Sequence, residues 1–381
     1  MTPRPIYLDY NATTPVAPEV VEAMLPYLTE RFGNPSSNHL YGREAREGME
    51  QAREQIAALL NCSSGEIIFT SGGTESNNTV IKGVAEAYRQ RGRHIVTTAI
   101  EHPAVLEPCD WLAAQGFEIT ILPVDALGRV DPADVERAIR QDTILVSVML
   151  ANNEVGTIQP VAEIAQIAHA RGVLVHTDAA QAVGKIPVSV PDLGVDFLSV
   201  AGHKLYAPKG IGALYVRQGT PLPKFMHGAG HEGGRRAGTE NIPYAVALGQ
   251  AAVLAHRGLP HDIEHMQAMR DRLWAGLREH VQDIRRNGDP DHSLPNTLSV
   301  SFREVEANTL LTHISDRIAA SAGAACHADS IALSAVLQAM KVPLDYAMGT
   351  LRLSVGRLTT HDEVDQSVGT IAEAVRVIRG R

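Results

Sequence analysis

Phe197-Leu198-Ser199-Val200-Ala201-Gly202-His203-Lys204 is a short apolar run that stops abruptly at a glycine and two polar side chains. Its length and apolar content suit a strand covered on both faces, and its end puts Lys204 where that strand leaves the sheet. In open α/β sheets the ligand crevice lies beyond the carboxyl ends of the strands. A lysine there, stripped of part of its water, can lose its proton near neutral pH and form a Schiff base with an aldehyde. The plain alternative is a lysine whose stem lies along the protein and whose ammonium reaches solvent.

Similar runs occupy 66–70, 94–98, 118–122, 144–150, 174–178 and 212–216, interleaved with helical stretches such as 75–91 and 160–171. All are too apolar for strands with one wet face, so they predict a mostly parallel seven-stranded sheet with helices on both sides. The glycine-rich segment 228–238 suits no regular element and is read as a functional loop. Helical tracts at 241–257 and 263–280 follow, and the pattern then changes to strands near 296–302, 318–321 and 350–354 between helices at 306–314, 333–340 and 360–379. The chain of 381 residues exceeds what one hydrophobic core usually organises. Two domains are expected, a large α/β domain over 16–256 and a smaller α+β C-terminal domain over 257–381 joined by residues 1–15.

Several function classes are excluded by composition. The net charge is −9 and no block of five or more Lys and Arg occurs, so no basic field is available for nucleic acid. No apolar run approaches the length of about 18 residues that marks a membrane span. The first residues lack the charged start and apolar stretch of a secretory signal, which makes the cytoplasm the expected compartment. Cys62, Cys109 and Cys326 are too few and too scattered for a disulfide framework or a zinc cluster. The histidine pairs His227/His231 and His261/His265 lack completing ligands, and no metal is assigned.

Other candidates gather at the same sheet edge. Asp178 ends the run 173–178 and either faces a pyridinium nitrogen, keeping the ring an electron sink, or caps a helix starting near Ala179. Ser71-Gly72-Gly73-Thr74-Glu75 joins a strand to a helix beginning near Glu75, either as a phosphate-binding helix N-terminus or as an ordinary glycine turn. His102 follows the strand near 95–98 and either stacks on a flat ring or moves a proton, unless it is simply exposed. Asn153 and Gln181 supply neutral hydrogen-bonding groups suited to a phenolic oxygen. Cys326, beside His327 in a run of small residues, suits a mobile loop bearing a nucleophilic thiol, whereas Cys62 and Cys109 read as structural. Arg352 interrupts the alternating 350–355 strand, as a fork for a carboxylate or as part of a surface ion pair.

The segments Tyr7-Leu8-Asp9-Tyr10-Asn11-Ala12-Thr13-Thr14-Pro15, Gly33-Asn34-Pro35-Ser36-Ser37, Phe69-Thr70-Ser71-Gly72-Gly73-Thr74-Glu75-Ser76-Asn77-Asn78 and Asn152-Asn153-Glu154-Val155-Gly156 occur in order. They are followed by His176-Thr177-Asp178-Ala179-Ala180-Gln181, Gly202-His203-Lys204 and Leu351-Arg352-Leu353-Ser354-Val355-Gly356-Arg357. Together they resemble the class V, fold-type I pyridoxal 5′-phosphate enzymes, specifically the cysteine desulfurase and selenocysteine lyase family, over nearly the whole chain. The resemblance implies a homodimer in which Lys204 carries the cofactor as a Schiff base, Asp178 pairs with the ring nitrogen and His102 stacks on the ring. It implies that Asn153 and Gln181 contact substrate or ring oxygen, that Gly73, Thr74 and His203 hold the phosphate, and that Thr239 reaches the phosphate across the dimer interface. Arg352 would bind the substrate carboxylate.

The expected reaction turns L-cysteine into L-alanine, with sulfur passing to Cys326 as a persulfide and on to a protein acceptor. Release of selenium from L-selenocysteine is the alternative, with a class V aminotransferase or a non-catalytic scaffold further off. Two departures from the family pattern stand out. Ala201 replaces the serine that often precedes Gly-His-Lys, which removes a phosphate hydrogen bond. The loop Gly323-Ala324-Ala325-Cys326-His327-Ala328-Asp329 looks closer to selenocysteine lyases than to the serine-rich loop of housekeeping desulfurases, although its spacing fits the long-loop desulfurases.

Overall fold

Phe197–Ala201 lies third in a seven-stranded sheet of the computed structural model, between Gly212–Val216 and Leu174–Asp178. The described residues are 4–327 and 330–380, with only the backbone described at 324–327 and 330–332. Across the sheet the order is Ile67–Thr70, Gly212–Val216, Phe197–Ala201, Leu174–Asp178, Thr143–Ser147, His94–Thr98 and Glu118–Leu122. Gly212–Val216 runs antiparallel to both neighbours, and every other pairing is parallel. The fold is therefore the α/β class the apolar runs predict.

Helices on both faces explain why these strands are apolar along their whole length, with Phe197, Leu198, Leu145 and Ile95 fully enclosed. Glu118–Leu122 departs from the expectation that no strand has a wet face: it is the sheet edge, and Glu118 and Ile121 are exposed. The central strands are pinned by a core histidine. His176 bonds Ser147 at 2.8 Å and Ser199 at 3.0 Å across the adjacent strands, and burial lowers its pKa to about 4, so it stays neutral.

The tracts expected at 241–257 and 263–280 form one helix, Ile242–His280, which runs on through Gly258 and Pro260. Its two ends serve different cores. Ala245, Leu248 and Ala252 pack with the sheet's helices, while Met266, Met269, Leu273 and Leu277 pack with a second apolar cluster that includes Leu8, Phe302, Leu351 and Ile371. Burial at both ends holds the helix together where its local sequence is weakest.

The second cluster covers an antiparallel sheet of order Ile284–Asn287, Thr297–Phe302, Thr350–Ser354 and Ser321–Ala322, against which His361–Ile378 packs. Ile6–Tyr7 pairs in parallel with Ile318–Ala319, which ties the start of the described chain to this part. Ile284–Asn287, reading Ile-Arg-Arg-Asn, carries no apolar alternation and was not expected as a strand. Among the described residues no helix is long and apolar enough to cross a membrane.

Candidate active site

Nine of the residues singled out in the sequence line one cavity of about 380 Å³ at the carboxyl ends of the parallel strands: Gly73, Thr74, His102, Asn153, Asp178, Gln181, His203, Lys204 and Arg352. Residues from both ends of the chain complete it, because Asn11 and Ala12 form part of the wall.

Lys204 sits in the single 3-10 turn Gly202–Lys204 that follows the strand Phe197–Ala201. Its Nζ donates to the backbone carbonyls of Asn11 and, at 2.8 Å, of Ala12. Burial, reinforced by the Arg352 guanidinium and opposed by Asp9 and Asp178, lowers its pKa to about 8. The amine is thus held at the cavity wall by two carbonyls rather than extended into solvent. With a pKa of about 8, on the order of a tenth of the amine is unprotonated at pH 7, against less than about a thousandth for an ordinary lysine. The unprotonated amine is the nucleophile, so the rate at which cofactor-free protein takes up an aldehyde at Lys204 is expected to climb as pH rises from 6 to about 8 and then level off. Stopped-flow absorbance checks this, and a rate still climbing in proportion to hydroxide at pH 10 contradicts it.

Asp178 ends the strand Leu174–Asp178 and is buried. Its Oδ1 accepts from the Ala180 N–H at 2.9 Å and its Oδ2 accepts from Asn77 Nδ2 at 2.7 Å. No helix begins at Ala179, where the chain turns instead, so the carboxylate is not a helix cap. Two fixed donors hold the carboxylate in place at the cavity wall, with acceptor capacity to spare. Asn77 stood in the sequence only within a motif, with no role; it lies on the first turns of a helix, and only the fold brings it to a carboxylate 101 positions away. Its Oδ1 is buried without a partner.

The helix beyond Ser71 starts at Gly73, two residues before the expected Glu75. Gly72 adopts φ 149°, a conformation that requires glycine, and a Cβ on the facing Gly212 would fall 2.6 Å from the Gly72 Cα. This tight crossing aims the first N–H groups of Gly73–Ala87, which have no partner within the helix, at the cavity. Glu75 turns away, accepting from the Ser71 N–H at 2.8 Å and pairing with Arg236 at 2.6 Å. Arg236 holds the Glu75 carboxyl below its usual range despite burial, so its charge is neutralised before it can repel an anion.

His203 completes this end. Its Nδ1 lies 3.3 Å from Thr13 Oγ1, and burial together with the charge on Lys204 lowers its pKa to about 4, leaving a neutral ring that can donate one N–H. Ala201 also faces the cavity, without the hydroxyl a serine would bring.

His102 both caps and faces. Its Nδ1 accepts from the Ala104 N–H at 3.1 Å, capping the helix Pro103–Ala113, and its ring forms part of the cavity wall. Burial lowers its pKa, so the ring is neutral and suited to stacking on an aromatic face. Its neighbour Glu101 is buried against the Thr98 hydroxyl at 2.7 Å and the Met149 N–H at 2.9 Å, and burial raises its pKa to about 8, so it carries a proton at neutral pH.

Arg352 reaches the cavity from the strand Thr350–Ser354, whose Leu351 and Leu353 are fully buried on the opposite face. Its guanidinium is not a surface ion pair: it bonds Asp9 at 2.8 Å, Ser321 at 3.0 Å and the Asn153 carbonyl at 3.3 Å, and its Nε is buried without a partner. Asn153 thus contributes its backbone, whereas the adjacent Asn152 is structural, bonding the Ile100 carbonyl and the Glu154 and Val155 N–H groups.

Two expected participants stand apart. Thr239 lines a separate depression with Arg236, Glu232 and Ser71 rather than the central cavity of this chain. Cys326 lies on a β-hairpin, Ala324–His327 paired with Ser330–Leu333, with Cys326 opposite Ile331. The expected loop is a hairpin here: small residues discouraged a strand assignment, but Ser330-Ile331-Ala332-Leu333 supplies a β-compatible partner. The hairpin root is tied to the cavity wall, since Ser334 Oγ donates to Glu154 at 2.5 Å, next to Asn153. Ala328 and Asp329, part of the cysteine motif, and the Cys326 side chain lie outside the described residues. Of the other thiols, Cys109 is buried and Cys62 partly so, and burial pushes both pKa values up to about 12, as inert structural cysteines require.

This mixed seven-stranded α/β fold is shared with known proteins. Residues 6–366 match the model of the aminotransferase class-V family, and the chain belongs to that family. It is 47% identical over 377 residues to a cysteine desulfurase IscS of Dictyoglomus turgidum, covering 99% of this chain and 96% of the relative. A solved NifS-like protein superposes with a TM-score of 0.92 at 41% identity, over 97% of this chain and 99% of that one. A structure described as SspA in complex with cysteine gives 0.82 at 37% identity, over 93% and 99%.

Pyridoxal 5′-phosphate is the cofactor of the family's cysteine desulfurases. The donor set fits it: an amine of lowered pKa for the aldehyde, a fixed carboxylate for the ring nitrogen, a neutral imidazole for the ring face, and a helix N-terminus for the phosphate.

Proposed function

We propose that this protein is a cysteine desulfurase that converts L-cysteine to L-alanine and receives the sulfur on Cys326 as a persulfide. The reading rests on one observation above the others: Lys204, Asp178 and Arg352 converge on one cavity, although one follows a strand, one ends a second and one lies in the middle of a third. Relatives named cysteine desulfurase match nearly the whole chain, and the similar SspA structure is described with cysteine.

Bound pyridoxal phosphate supplies the electron sink that makes the substrate α-proton removable. The protein's own groups do the rest. Arg352 would anchor the substrate carboxylate through the part of its guanidinium that forms the cavity wall. Lys204, an amine of moderate basicity at the cavity wall, would be suited to take the substrate α-proton and return it elsewhere. Asp178, fixed by Asn77 and Ala180, would keep the ring nitrogen protonated. Cys326, as thiolate, would attack the substrate sulfur. The S–S bond forms as the Cβ–S bond breaks, and the electron pair stays on Cβ, which takes up one proton to end as the methyl of alanine.

The reading includes a homodimer in which Thr239 reaches the partner's phosphate site, a protein acceptor for the persulfide, and the cytoplasm, where three scattered thiols stay reduced. It assigns the cofactor to a large unit, 16–256, and the Cys326 hairpin to a smaller one, 257–381 with 1–15; that boundary falls within the helix Ile242–His280. Incubation of the holoenzyme with L-cysteine and a thiol reductant tests the reaction class: alanine and sulfide in equal amounts are expected, and keto acid without alanine contradicts it. Arg352→Ala is expected to raise KM for cysteine by roughly 10- to 100-fold, the worth of a charged hydrogen-bond pair, with the cofactor's visible absorbance retained. An unchanged KM would remove Arg352 from substrate binding.

A further inference from the structure

Lys185 is a lysine with almost no water. It is 5% exposed, and its Nζ donates to Gln181 Oε1 at 2.7 Å and to Asn11 Oδ1 at 3.0 Å. Both acceptors are amide oxygens, neither is a carboxylate, and the nearest charges acting on the amine are the cations Lys204 and Arg352. Behind it, Lys185 and Lys204 share a cavity of about 10 Å³, room for about one water, so bulk solvent does not hydrate the amine. Burial, with Lys204 and Arg352 adding to it, pushes the Lys185 pKa far below the usual lysine range. A neutral amine has two N–H donors, which matches its two acceptors.

The geometry of Gln181 gives this amine a task. With Oε1 held by Lys185 and one Nε2 hydrogen given to the Asn11 carbonyl at 3.0 Å, the amide cannot turn over without setting its NH2 against the lysine's donors. One Nε2 hydrogen remains for the cavity, whose wall Gln181 forms. Asn11 Oδ1 keeps a second donor, Asn296 Nδ2 at 2.9 Å, so Gln181 is the group that depends on Lys185 alone.

We propose that Lys185 is a positioning residue: a buried lysine that fixes the amide of Gln181 so that its free N–H donates to the ring oxygen of bound pyridoxal phosphate. The inference rests on the desulfurase reading and on Gln181 facing that oxygen. A donor to the anionic ring oxygen weakens that oxygen's hold on the neighbouring Schiff-base proton, and loss of the donor raises the affinity for that proton.

The test is a pH titration of the visible absorbance of the holoenzyme. Lys185→Met, which fills similar volume without a donor, is expected to raise the midpoint by roughly half a unit to one unit, a three- to tenfold change in proton affinity. Gln181→Ala should raise it similarly, and adding Lys185→Met to Gln181→Ala should move it no further. Lys185→Gln, which keeps an N–H donor in the same space and provides a second folded variant, should titrate closer to wild type than Lys185→Met. Midpoints unchanged from wild type, or an equal shift with and without Gln181, overturn the proposal, the latter because it marks a general electrostatic or structural effect. Failure of the wild-type protein to show an absorbance band that Lys204→Ala abolishes would instead sink the underlying reading.

Discussion

Lys204→Ala is expected to leave a folded protein that binds cofactor without the visible absorbance of a Schiff base and releases alanine more slowly by at least about 10⁴-fold, as befits loss of a group that both bonds covalently and moves a proton. The amine spans the cavity to the Asn11 and Ala12 carbonyls, so its removal deletes two hydrogen bonds but opens onto an existing cavity rather than emptying a packed core. The melting temperature should therefore change little beside the loss of activity. The proposed phosphate and ring contacts at Gly73, Thr74, His203 and Asp178 would remain, so equilibrium dialysis should still detect bound cofactor. A variant that keeps both the band and the turnover would remove Lys204 from the chemistry.

Cys326→Ser is the second large effect, and it separates sulfur chemistry from cofactor chemistry. A serine hydroxyl is not ionised near neutral pH and attacks sulfur poorly, so alanine formation is expected to fall by on the order of 10²-fold or more while the cofactor band stays at wild-type height. The two variants thus fail at different steps: the first loses the band, the second keeps it. Normal turnover of Cys326→Ser with keto acid as product would indicate transamination, for which no thiol is needed.

The sheet and most of its edge could be read from sequence because both depend on local pattern. Apolar runs ending in Lys204, Asp178 and the Ser71-Gly72-Gly73 turn put their polar residues at strand ends, and the fold brings those ends together. Arg352 stood out by breaking a two-residue alternation, and Leu351 and Leu353 are indeed buried behind it. Residues that act through partners far along the chain gave no such signal. Lys185 meets Asn11 across 174 positions, Asn77 meets Asp178 across 101, and Asp9 meets Arg352 across 343. Asn11 stood only in a motif, yet its side chain bonds Lys185, Thr297 and Asn296, joining the chain's two ends at the cavity.

Local pattern also misled at the long helix and at the cysteine hairpin. A short weak stretch around Gly258 and Pro260 suggested two helices, but packing at both ends maintains one. Small residues around Cys326 suggested a loop, but register with Ser330–Leu333 makes a hairpin. In both cases the deciding contacts lie outside the window in which propensity operates.

The central claim is that sulfur leaves cysteine through the Lys204 cavity and arrives on Cys326. The most direct test is to mix the holoenzyme with one equivalent of sulfur-labelled L-cysteine, without reductant, and to quantify alanine while locating the label by peptide mass spectrometry. One alanine per active site, with the labelled sulfur on the Cys326 peptide and absent from the Cys62 and Cys109 peptides, is the predicted result. Alanine formed with no label on Cys326, or label on the protein with no alanine released, would contradict it.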